Sequence, residues 1–300
     1  MLQPLTDALR CDLPGDATRL LHGRGQCYAG LSFLNVDWFD PVVWAVLYGD
    51  VDPGLVSRIS AELRAFGERE GRVECVILQR RGRAQARQEI LYGTAPAKTC
   101  ALEDGARFAL NLSANQNIGF FLDARPGRRW LRERAAGKRV LNLFAYTCSF
   151  SVAALLGGAS GVVNIDKARS ALTTGERNHL LNDLSLEGVS FLPHDVFRST
   201  RKLEQLGPYD LVICDPPSRQ KRSFEADRDY GRLLQALSPM LAPGAELLAC
   251  VNAPYLPASF LTDAVARHLP DCVYVERLPQ REDFPEKDPD CCLKMQVFKA

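Results

Sequence analysis

The feature that most constrains this chain is a strand, tight loop and helix pattern in its middle. Residues 140–144 form a short apolar run, and residues 145–149 form a small polar loop. Residues 150–156 then have the composition of a helix that stops at Gly157-Gly158. This order is typical of the first unit of a doubly wound α/β sheet.

An acid ends the next strand-like segment and suggests a ligand site. Residues 161–166 form an apolar run that ends on Asp166, roughly 20 residues beyond the loop. In nucleotide-binding sheets the loop amides and the helix N-terminus accept a polar ligand group, and such an acid takes the ribose hydroxyls. The loop has no G-x-G-x-x-G sequence, so the pattern alone is equally compatible with an ordinary buried βα unit.

Composition narrows the class of protein. The 300 residues are 46% hydrophobic and 24% charged, which is enough for a sizeable core. No apolar run is long enough to span a bilayer, and charged residues and Pro14 interrupt residues 1–15, unlike a signal peptide. Ten cysteines without a C-x-x-C pair predict reduced thiols in a cytoplasmic protein. Four scattered histidines predict no zinc or other metal site.

The net charge is only +1, but the basic residues are clustered. One cluster contains Arg72, Arg80, Arg81, Arg83 and Arg87, and the other contains Arg125, Arg128, Arg129, Arg132, Arg134, Lys138 and Arg139. Such clusters can follow a phosphate backbone or can form an ordinary solvated face. Charge alone does not separate these two interpretations.

The pattern of apolar runs predicts an α/β protein with two domains. Residues 1–25 are interpreted as an N-terminal extension, and residues 26–110 as a small α/β accessory domain with a helix and a β-hairpin. Residues 111–300 are predicted to form a Rossmann-like sheet of seven strands, in which the last pair is antiparallel. Right-handed βαβ crossovers would bring the carboxyl ends of the parallel strands to one edge, where ligands bind in such sheets.

Polar residues end five successive predicted strands, at Asn142, Asp166, Asp195, Asp215 and Asn252. Asp166 suits a ribose diol, and Asp195 suits an exocyclic adenine amine, which donates hydrogen bonds that a carboxylate accepts. These roles indicate an adenosine-containing ligand at the sheet edge.

The sharpest local signal is the sequence Asp215-Pro216-Pro217. Prolines lack N–H groups, so this loop presents carbonyl acceptors, which suit an amino group on a flat ring. A nicotinamide enzyme would normally carry the glycine fingerprint instead. The residues therefore favour S-adenosylmethionine over NAD as the cofactor.

Together these motifs resemble class I S-adenosylmethionine-dependent RNA methyltransferases that act on bases of large-subunit ribosomal RNA. The resemblance rests on FFLDAR (residues 120–125), VLNLFAYT (140–147), VNID (163–166), HDVF (194–197) and DPPS (215–218). It covers about residue 107 to the C-terminus. The earlier RLLHG (19–23) and YAGL (28–31) are similar to the segment that joins the accessory domain in this family.

The resemblance implies a set of cofactor-binding residues. This set is Asn142, Phe144, Tyr146, Thr147, Asp166, Lys167, Asp195, Val196 and Asp215, with Phe121, Asp123 and Arg125. It also implies that Asp215, Pro216 and Pro217 face the target base, together with Asn252.

Many members carry an N-terminal PUA domain, and residues 1–25 are too short to hold one. RNA contact is therefore expected in the accessory domain and in the basic segments. The residues expected to contact RNA are Arg80, Arg81, Arg83, Arg87, Arg128, Arg129 and Arg132.

One departure from the family pattern bears on the mechanism. Members that make 5-methylcytosine carry a cysteine just after the strand that here ends at Asn252, whereas this chain has Cys250 two residues earlier. Cytosine C5 becomes nucleophilic only after a thiolate adds at C6. Cys250 would lie on the same face as Asn252 but deeper in the sheet, which favours a core thiol.

Guanine N7 has a free lone pair and requires only alignment with the methyl donor. The guanine-N7 branch of the family resembles this chain at Asn252, and the resemblance slightly favours guanine N7 over cytosine C5. Two alternatives stay open at this point: a non-catalytic RNA-binding or ribosome-assembly factor with this fold, and a methyltransferase for a non-RNA substrate.

Overall fold

The computed structural model describes residues 2–82, 87–113, 117–220 and 224–300. The chain divides into two compact units. Unit 1 comprises Met1–Leu122 and Arg281–Asp288, and unit 2 comprises Asp123–Gln280 and Pro289–Ala300. Within the described residues, the helices are too short or too polar to cross a membrane.

Unit 1 is a mixed α/β unit. Its elements are α1 (Gln3–Ala8), β1 (Thr18–His22), β2 (Leu34–Phe39), β3 (Val42–Tyr48), α2 (Pro53–Arg69), β4 (Cys75–Arg81), β5 (Arg87–Gly93), β6 (Thr99–Glu103) and β7 (Ala106–Leu110). Strands β1 to β5 form one sheet in sequence order, and β6 and β7 form a separate antiparallel pair. Only β3 and β4 are parallel within the first sheet, and α2 connects them.

Helix α2 shows why this unit folds as it does. Asp52 accepts a hydrogen bond from the Leu55 amide at 2.9 Å, and Pro53 occupies the first helical position, where its missing N–H is not needed. Buried apolar residues recur at helical spacing along α2. A Cβ at Gly67 would lie 2.6 Å from the Tyr92 ring, so this glycine lets the helix pack directly against β5.

The structure divides the chain at different positions from those predicted. Residues 1–25, interpreted as an extension, contribute α1 and β1 to unit 1, and the division falls after Leu122 rather than near residue 110. Strand β1 was not predicted because only Leu21 and His22 in it are buried, which leaves little apolar alternation. The segment Arg281–Asp288 also belongs to unit 1, although it was assigned to the C-terminal domain.

Hydrogen bonds around Asp283 hold this returning segment in unit 1. Arg281 donates to both Asp283 oxygens, at 2.6 and 2.5 Å. Thr18 Oγ1 and the Arg19 amide donate to Asp283 Oδ2 at 2.8 and 2.9 Å. Burial alone would raise the pKa of Asp283, but these donors, with Arg281 foremost, hold it below its usual value.

His22 joins the same cluster in its neutral form. Arg19 donates to His22 Nδ1 at 2.7 Å, so that nitrogen carries no proton, and Nε2–H donates to Glu286 at 3.0 Å. Burial and the nearby charges of Arg19 and Arg24 lower the pKa of His22 to about 3. Arg19 also pairs with Asp37 at 2.7 Å. We call Arg19, His22, Asp37, Arg281, Asp283 and Glu286 the ionic cluster.

Unit 2 is built on a seven-stranded sheet. Its elements are α3 (Arg125–Arg134), β8 (Arg139–Leu143), α4 (Ser149–Leu156), β9 (Gly161–Ile165), α5 (Arg169–Leu180), β10 (Val189–Leu192), α6 (Thr200–Leu206), β11 (Tyr209–Cys214), β12 (Arg219–Gln220), β13 (Phe224–Glu225), α7 (Ala226–Leu237), β14 (Leu241–Val251), α8 (Phe260–His268), β15 (Val273–Arg277) and β16 (Lys294–Lys299). The strand order is β10-β9-β8-β11-β14-β16-β15.

This topology confirms the predicted fold class. Strands β8 to β11 and β14 are parallel, and β16 lies antiparallel between β14 and β15. Leu143 is level with Ile165 and with Cys214, so the residues that follow these strands emerge at one sheet edge. Alternate residues of β8, β9, β11 and β14 enter two separate apolar cores, one on each face of the sheet.

Candidate cofactor and substrate site

The loop that follows β8 adopts an unusual backbone conformation without glycine. Phe144, Tyr146 and Cys148 have φ angles of 55°, 47° and 61°. The left-handed region costs a residue with a side chain roughly 1–2 kcal/mol, and such residues concentrate at ligand sites. We call residues 144–148 the left-handed loop.

Hydrogen bonds to neighbouring elements maintain this conformation. The Ala145 amide donates to Ile165 O at 3.0 Å, and the Tyr146 amide donates to Asp166 Oδ2 at 2.9 Å. A Cβ at Gly175 would lie 2.9 Å from the Cys148 Cβ, so α5 packs closely on the loop only because residue 175 is glycine. The strain is thus offset by contacts that also bring Asp166 beside the loop.

A chain of neutral polar side chains lies beneath the loop. Asn142 donates to Asn164 at 2.9 Å, Asn164 donates to Ser151 at 3.0 Å, and Ser151 lies 2.9 Å from His179 Nε2. His179 Nδ1 lies 2.7 Å from Gly175 O, so Nδ1 carries the proton and Nε2 accepts from Ser151. Burial lowers the pKa of His179, which keeps the ring neutral.

We call these four side chains the neutral chain. Asn142 is 1% exposed, so it contributes to the site by its hydrogen bond in the neutral chain that supports the left-handed loop. His179 was not predicted as part of the site, because a single histidine on a helix gives no distinguishing sequence signal. Asn178 adds a further contact by donating to Thr147 O at 2.9 Å.

The two acids predicted to hold an adenosine are already oriented. Asp166 accepts the amides of Tyr146 and Ala168 at 2.9 and 2.8 Å, which leaves lone pairs for a diol. Asp195 is ion-paired with Lys167 at 2.5 Å and accepts the Arg198 amide at 3.2 Å. Burial opposes ionisation of Asp195, but the hydrogen bond and charge of Lys167 hold its pKa below the usual value.

Asp215 lies in a different electrostatic environment. Burial and the nearby Asp123 carboxylate raise the pKa of Asp215 to about 7, and the positive charge of Arg128 opposes this shift. Asp123 precedes α3 and Arg128 lies within it, so α3 and the end of β11 together set the charge at this point. Proton occupancy at Asp215 therefore changes near neutral pH.

Arg128 does not occupy the position predicted for an RNA-contacting residue. It is 3% exposed, whereas Arg129, the next residue, is exposed. The helical period turns Arg128 towards the unit 2 core, near Asp215, and turns Arg129 outwards. The prediction that Arg128 contacts a phosphate backbone at the surface is therefore wrong.

The loops after β11 and β14 are joined to each other. Ser218 Oγ donates to Asn252 O, and Tyr255 Oη donates to Ser218 O at 3.3 Å. Asn252 is exposed, Pro216 is buried and Pro217 is half-buried. The structure therefore brings Asn252 to the loop that contains Asp215, Pro216 and Pro217.

Lys294 supports the loop that carries Asn252 and was missed by the sequence analysis. It is fully buried, and its ammonium donates to the backbone oxygens of Ala253, at 3.1 Å, and of Asp290. Burial lowers the pKa of Lys294. A lysine that alternates with apolar residues in a strand usually lies on an exposed face. The sequence pattern therefore suggests an exposed Lys294, whereas the structure buries it.

Cys250 has the surroundings of a core residue. It is 1% exposed in the apolar core that also contains Trp130 and Met295. Burial, and then the negative charge of Asp215, raise the pKa of Cys250 well above its ordinary value. Both effects disfavour the thiolate that covalent catalysis needs.

The remaining predicted residues are placed as follows. Val196 is buried beside Asp195, and Arg125 is half-buried at the start of α3. Phe121 belongs to unit 1 and is 44% exposed. Among the described residues, no group of three or more His, Cys, Asp or Glu side chains has the arrangement of a metal site.

Comparison with known proteins identifies the class. A profile of the S-adenosylmethionine-dependent methyltransferase family matches residues 18–299. The "Ribosomal RNA large subunit methyltransferase I" of Serratia proteamaculans is 30% identical over 281 residues, which cover 90% of this chain and 70% of that protein. The chain belongs to the S-adenosylmethionine-dependent methyltransferase family, as the sequence motifs predicted.

Two further similarities come from a longer relative and a solved structure. The "Ribosomal RNA large subunit methyltransferase K/L" of a Shewanella species is 40% identical over 157 residues, covering 50% of this chain but only 22% of that protein. SMU.776, a structure described as a methyltransferase complexed with S-adenosylhomocysteine, matches with a TM-score of 0.83 and 26% identity. That match covers 95% of this chain and 75% of SMU.776.

The residues at the sheet edge fit the family's cofactor, S-adenosylmethionine. The cofactor carries a ribose diol and an adenine amine, which are hydrogen-bond donors, and a positively charged sulfonium. Asp166 and Asp195 offer acceptors, and the Asp123 carboxylate provides negative charge. A site that is rich in acidic hydrogen-bond acceptors and is supported by neutral polar groups suits such a ligand.

Proposed function

We propose that this chain transfers a methyl group from S-adenosylmethionine to a base of RNA, most simply of large-subunit ribosomal RNA. The observation that carries the proposal is the link between the left-handed loop and Asp166, at the same sheet edge as Asp215. The names of the relatives supply the substrate class. Ribosomal RNA as substrate also agrees with the cytoplasmic location expected from the cysteine content.

The roles of the acids follow from their surroundings. Asp166 would accept the ribose hydroxyls, and Asp195 would accept the adenine amine, next to Val196 and Lys167. The left-handed loop, including Phe144, Tyr146 and Thr147, would enclose the same ligand, with Asn142 positioning it from below. Asp123 and Arg125, which also belong to unit 2, complete the proposed cofactor set. When bound, the cofactor supplies an electrophilic methyl group.

We propose guanine N7 as the acceptor in preference to cytosine C5. N7 attacks through a free lone pair, so the protein needs only to align the base, and no residue must form a covalent bond to it. Cytosine C5 would require a thiolate, but Cys250 is 1% exposed and its pKa is raised. Asp215, Pro216, Pro217 and Asn252 would then hold the base.

Arginines of unit 1 supply the proposed RNA contact. The Arg24 and Arg81 guanidinium carbons lie 4.4 and 5.5 Å from the centroid of the Tyr48 ring. Arg24, Arg80 and Arg87 are exposed, and Arg81 is half-buried. Arg83 lies outside the described residues. Two positive charges around an aromatic ring suit a nucleic acid that offers both phosphates and base faces.

In unit 2, Arg129 is exposed and Arg132 is half-buried on α3. Both can therefore reach solvent, unlike Arg128. We propose these two residues as additional phosphate contacts, and binding that weakens steeply as the salt concentration rises would support this role.

A transfer assay tests the function. Unmodified large-subunit ribosomal RNA would be incubated with methyl-labelled S-adenosylmethionine and digested to nucleosides. Label in 7-methylguanosine is the expected result, and the Cys250→Ser variant should keep full activity. Label in 5-methylcytidine, lost in Cys250→Ser, would reverse the choice of base. Absence of label with intact cofactor binding would contradict the RNA substrate.

A further inference from the structure

An aromatic side chain stands exposed beside the loop that follows β11. Tyr255 is 50% exposed, although its neighbours Ala253 and Leu256 are 0% and 9% exposed. Its hydroxyl donates to Ser218 O at 3.3 Å, three residues after Asp215. The ring is therefore held next to the Asp215 loop by its polar end, while much of its apolar surface faces solvent.

A cation accompanies this ring. The Arg219 guanidinium carbon lies 5.4 Å from the Tyr255 ring centroid, within the range of a cation–π contact. Arg219 is also exposed, and it directly follows Ser218. A planar ring after β14 and a planar cation at the start of β12 are thus presented together in unit 2.

The same loops are connected by a second hydrogen bond, from Ser218 Oγ to Asn252 O. Lys294 holds the neighbouring Ala253 carbonyl from the buried side. The backbone around Tyr255 is therefore anchored at both Asn252 and Ala253. An exposed aromatic ring on an anchored backbone loses little conformational entropy when a flat ligand stacks on it.

We propose that Tyr255, assisted by Arg219, is the stacking surface for the unpaired RNA base that enters beside Asp215. This inference rests on the proposed function, because it assumes a nucleobase at the Asp215 loop. Flat bases separated from a helix are recognised by stacking on aromatic rings and guanidinium groups, in addition to hydrogen bonds at their edges. Stacking tolerates any base, so Tyr255 would supply affinity while the Asp215 loop and Asn252 select the base.

Three variants separate the ring from its hydroxyl and from the cation. Tyr255→Leu keeps an apolar side chain but removes the aromatic face. Tyr255→Phe keeps the face and removes only the hydrogen bond to Ser218. Arg219→Ala removes the cation and leaves the ring. Transfer to unmodified large-subunit ribosomal RNA would be measured for each, together with S-adenosylhomocysteine affinity by calorimetry and the unfolding temperature.

For Tyr255→Leu we expect kcat/KM for RNA to fall about 10-fold to 100-fold, equivalent to about 1.4–2.8 kcal/mol. S-adenosylhomocysteine affinity and the unfolding temperature should stay unchanged. Tyr255→Phe should stay within about threefold of wild type, and Arg219→Ala should lie between the two.

Two results would overturn the inference while leaving the proposed function intact. One is an active wild type with Tyr255→Leu within twofold of it. The other is an equal loss in Tyr255→Phe and Tyr255→Leu, which would assign the effect to the hydroxyl rather than the ring. A wild-type protein that methylates no RNA would remove the proposed function, and this inference with it.

Discussion

Two buried polar regions of this protein are built in opposite ways. The ionic cluster of unit 1 joins segments far apart in the sequence through charged groups, such as the pairs of Arg281 with Asp283 and of Arg19 with Asp37. The neutral chain of unit 2, from Asn142 to His179, lies under the left-handed loop and contains no charge.

The difference reflects what each region must do. Charged partners define one arrangement strongly, which suits the return of Arg281–Asp288 to unit 1. The neutral chain adds no charge at the sheet edge, so the potential there is set by acids such as Asp123 and Asp166, which suits a cationic cofactor. Substitutions in and around the two regions test this difference.

The largest effect should come from breaking the ionic cluster. Arg281→Leu leaves Asp283 half-buried without the donor that most lowers its pKa, and should reduce the free energy of unfolding by about 3–5 kcal/mol. Urea denaturation would measure this. Arg80→Ala, which removes an exposed pair with Glu89, is the control and should cost at most about 1 kcal/mol. Equal losses of unfolding free energy in both variants would show that the ionic cluster does not stabilise unit 1.

The second largest effect should come from acid, which should destabilise the protein through His22 of the ionic cluster. The folded-state pKa of His22 is about 3 against an ordinary value of 6.5, so the unfolded chain binds a proton first as the pH falls. His22 should therefore contribute a loss of roughly 2–4 kcal/mol between pH 6.5 and pH 3. Denaturation of His22→Gln across this range should show a shallower loss. If His22→Gln lost stability with falling pH as steeply as the wild type, His22 would be excluded as the cause of that loss.

Asp215 should produce the opposite pH dependence. Its folded-state pKa of about 7 exceeds the ordinary 3.8, so the folded state binds the proton more tightly, and stability falls as the pH rises from 4 to 7. Asp215→Asn should therefore stabilise the protein at pH 7.5 by roughly 2–3 kcal/mol while lowering methyl transfer. Asp263→Asn, on exposed α8 surface, is the matched control. A destabilised Asp215→Asn variant would contradict this assignment.

The smallest effect should come from the neutral chain. Ser151→Ala removes an acceptor for Asn164 and a donor for His179, and should cost about 1–2 kcal/mol with a weaker affinity for S-adenosylhomocysteine. Ser57→Ala removes an exposed hydroxyl on α2 and should change stability by less than about 0.5 kcal/mol. An unaltered cofactor affinity in Ser151→Ala would show that the neutral chain does not support the left-handed loop.

Much of the site could be predicted because local backbone preferences are kept in the folded structure. Apolar runs of strand length, the acids that end them and the two prolines after Asp215 all reflect local backbone preferences. Lys294 and His179 could not be anticipated, since their roles depend on burial by residues distant in sequence. Arg128 and Arg129 show the same limit: one position along a helix changes a predicted surface cation into a buried neighbour of Asp215.

The alternation of strands and helices, the family and the polar residues at the strand ends can be read from the linear sequence, because they follow from period, composition and motif. The left-handed conformations of Phe144, Tyr146 and Cys148 depend on the tertiary structure, since the compensating contacts come from Ile165, Asp166 and Gly175. The tertiary structure also decided the protonation of Asp215, because its pKa depends on Asp123 and Arg128, about 90 residues earlier in the chain. Electrostatic and packing energies depend on distance in space, which a linear sequence does not record.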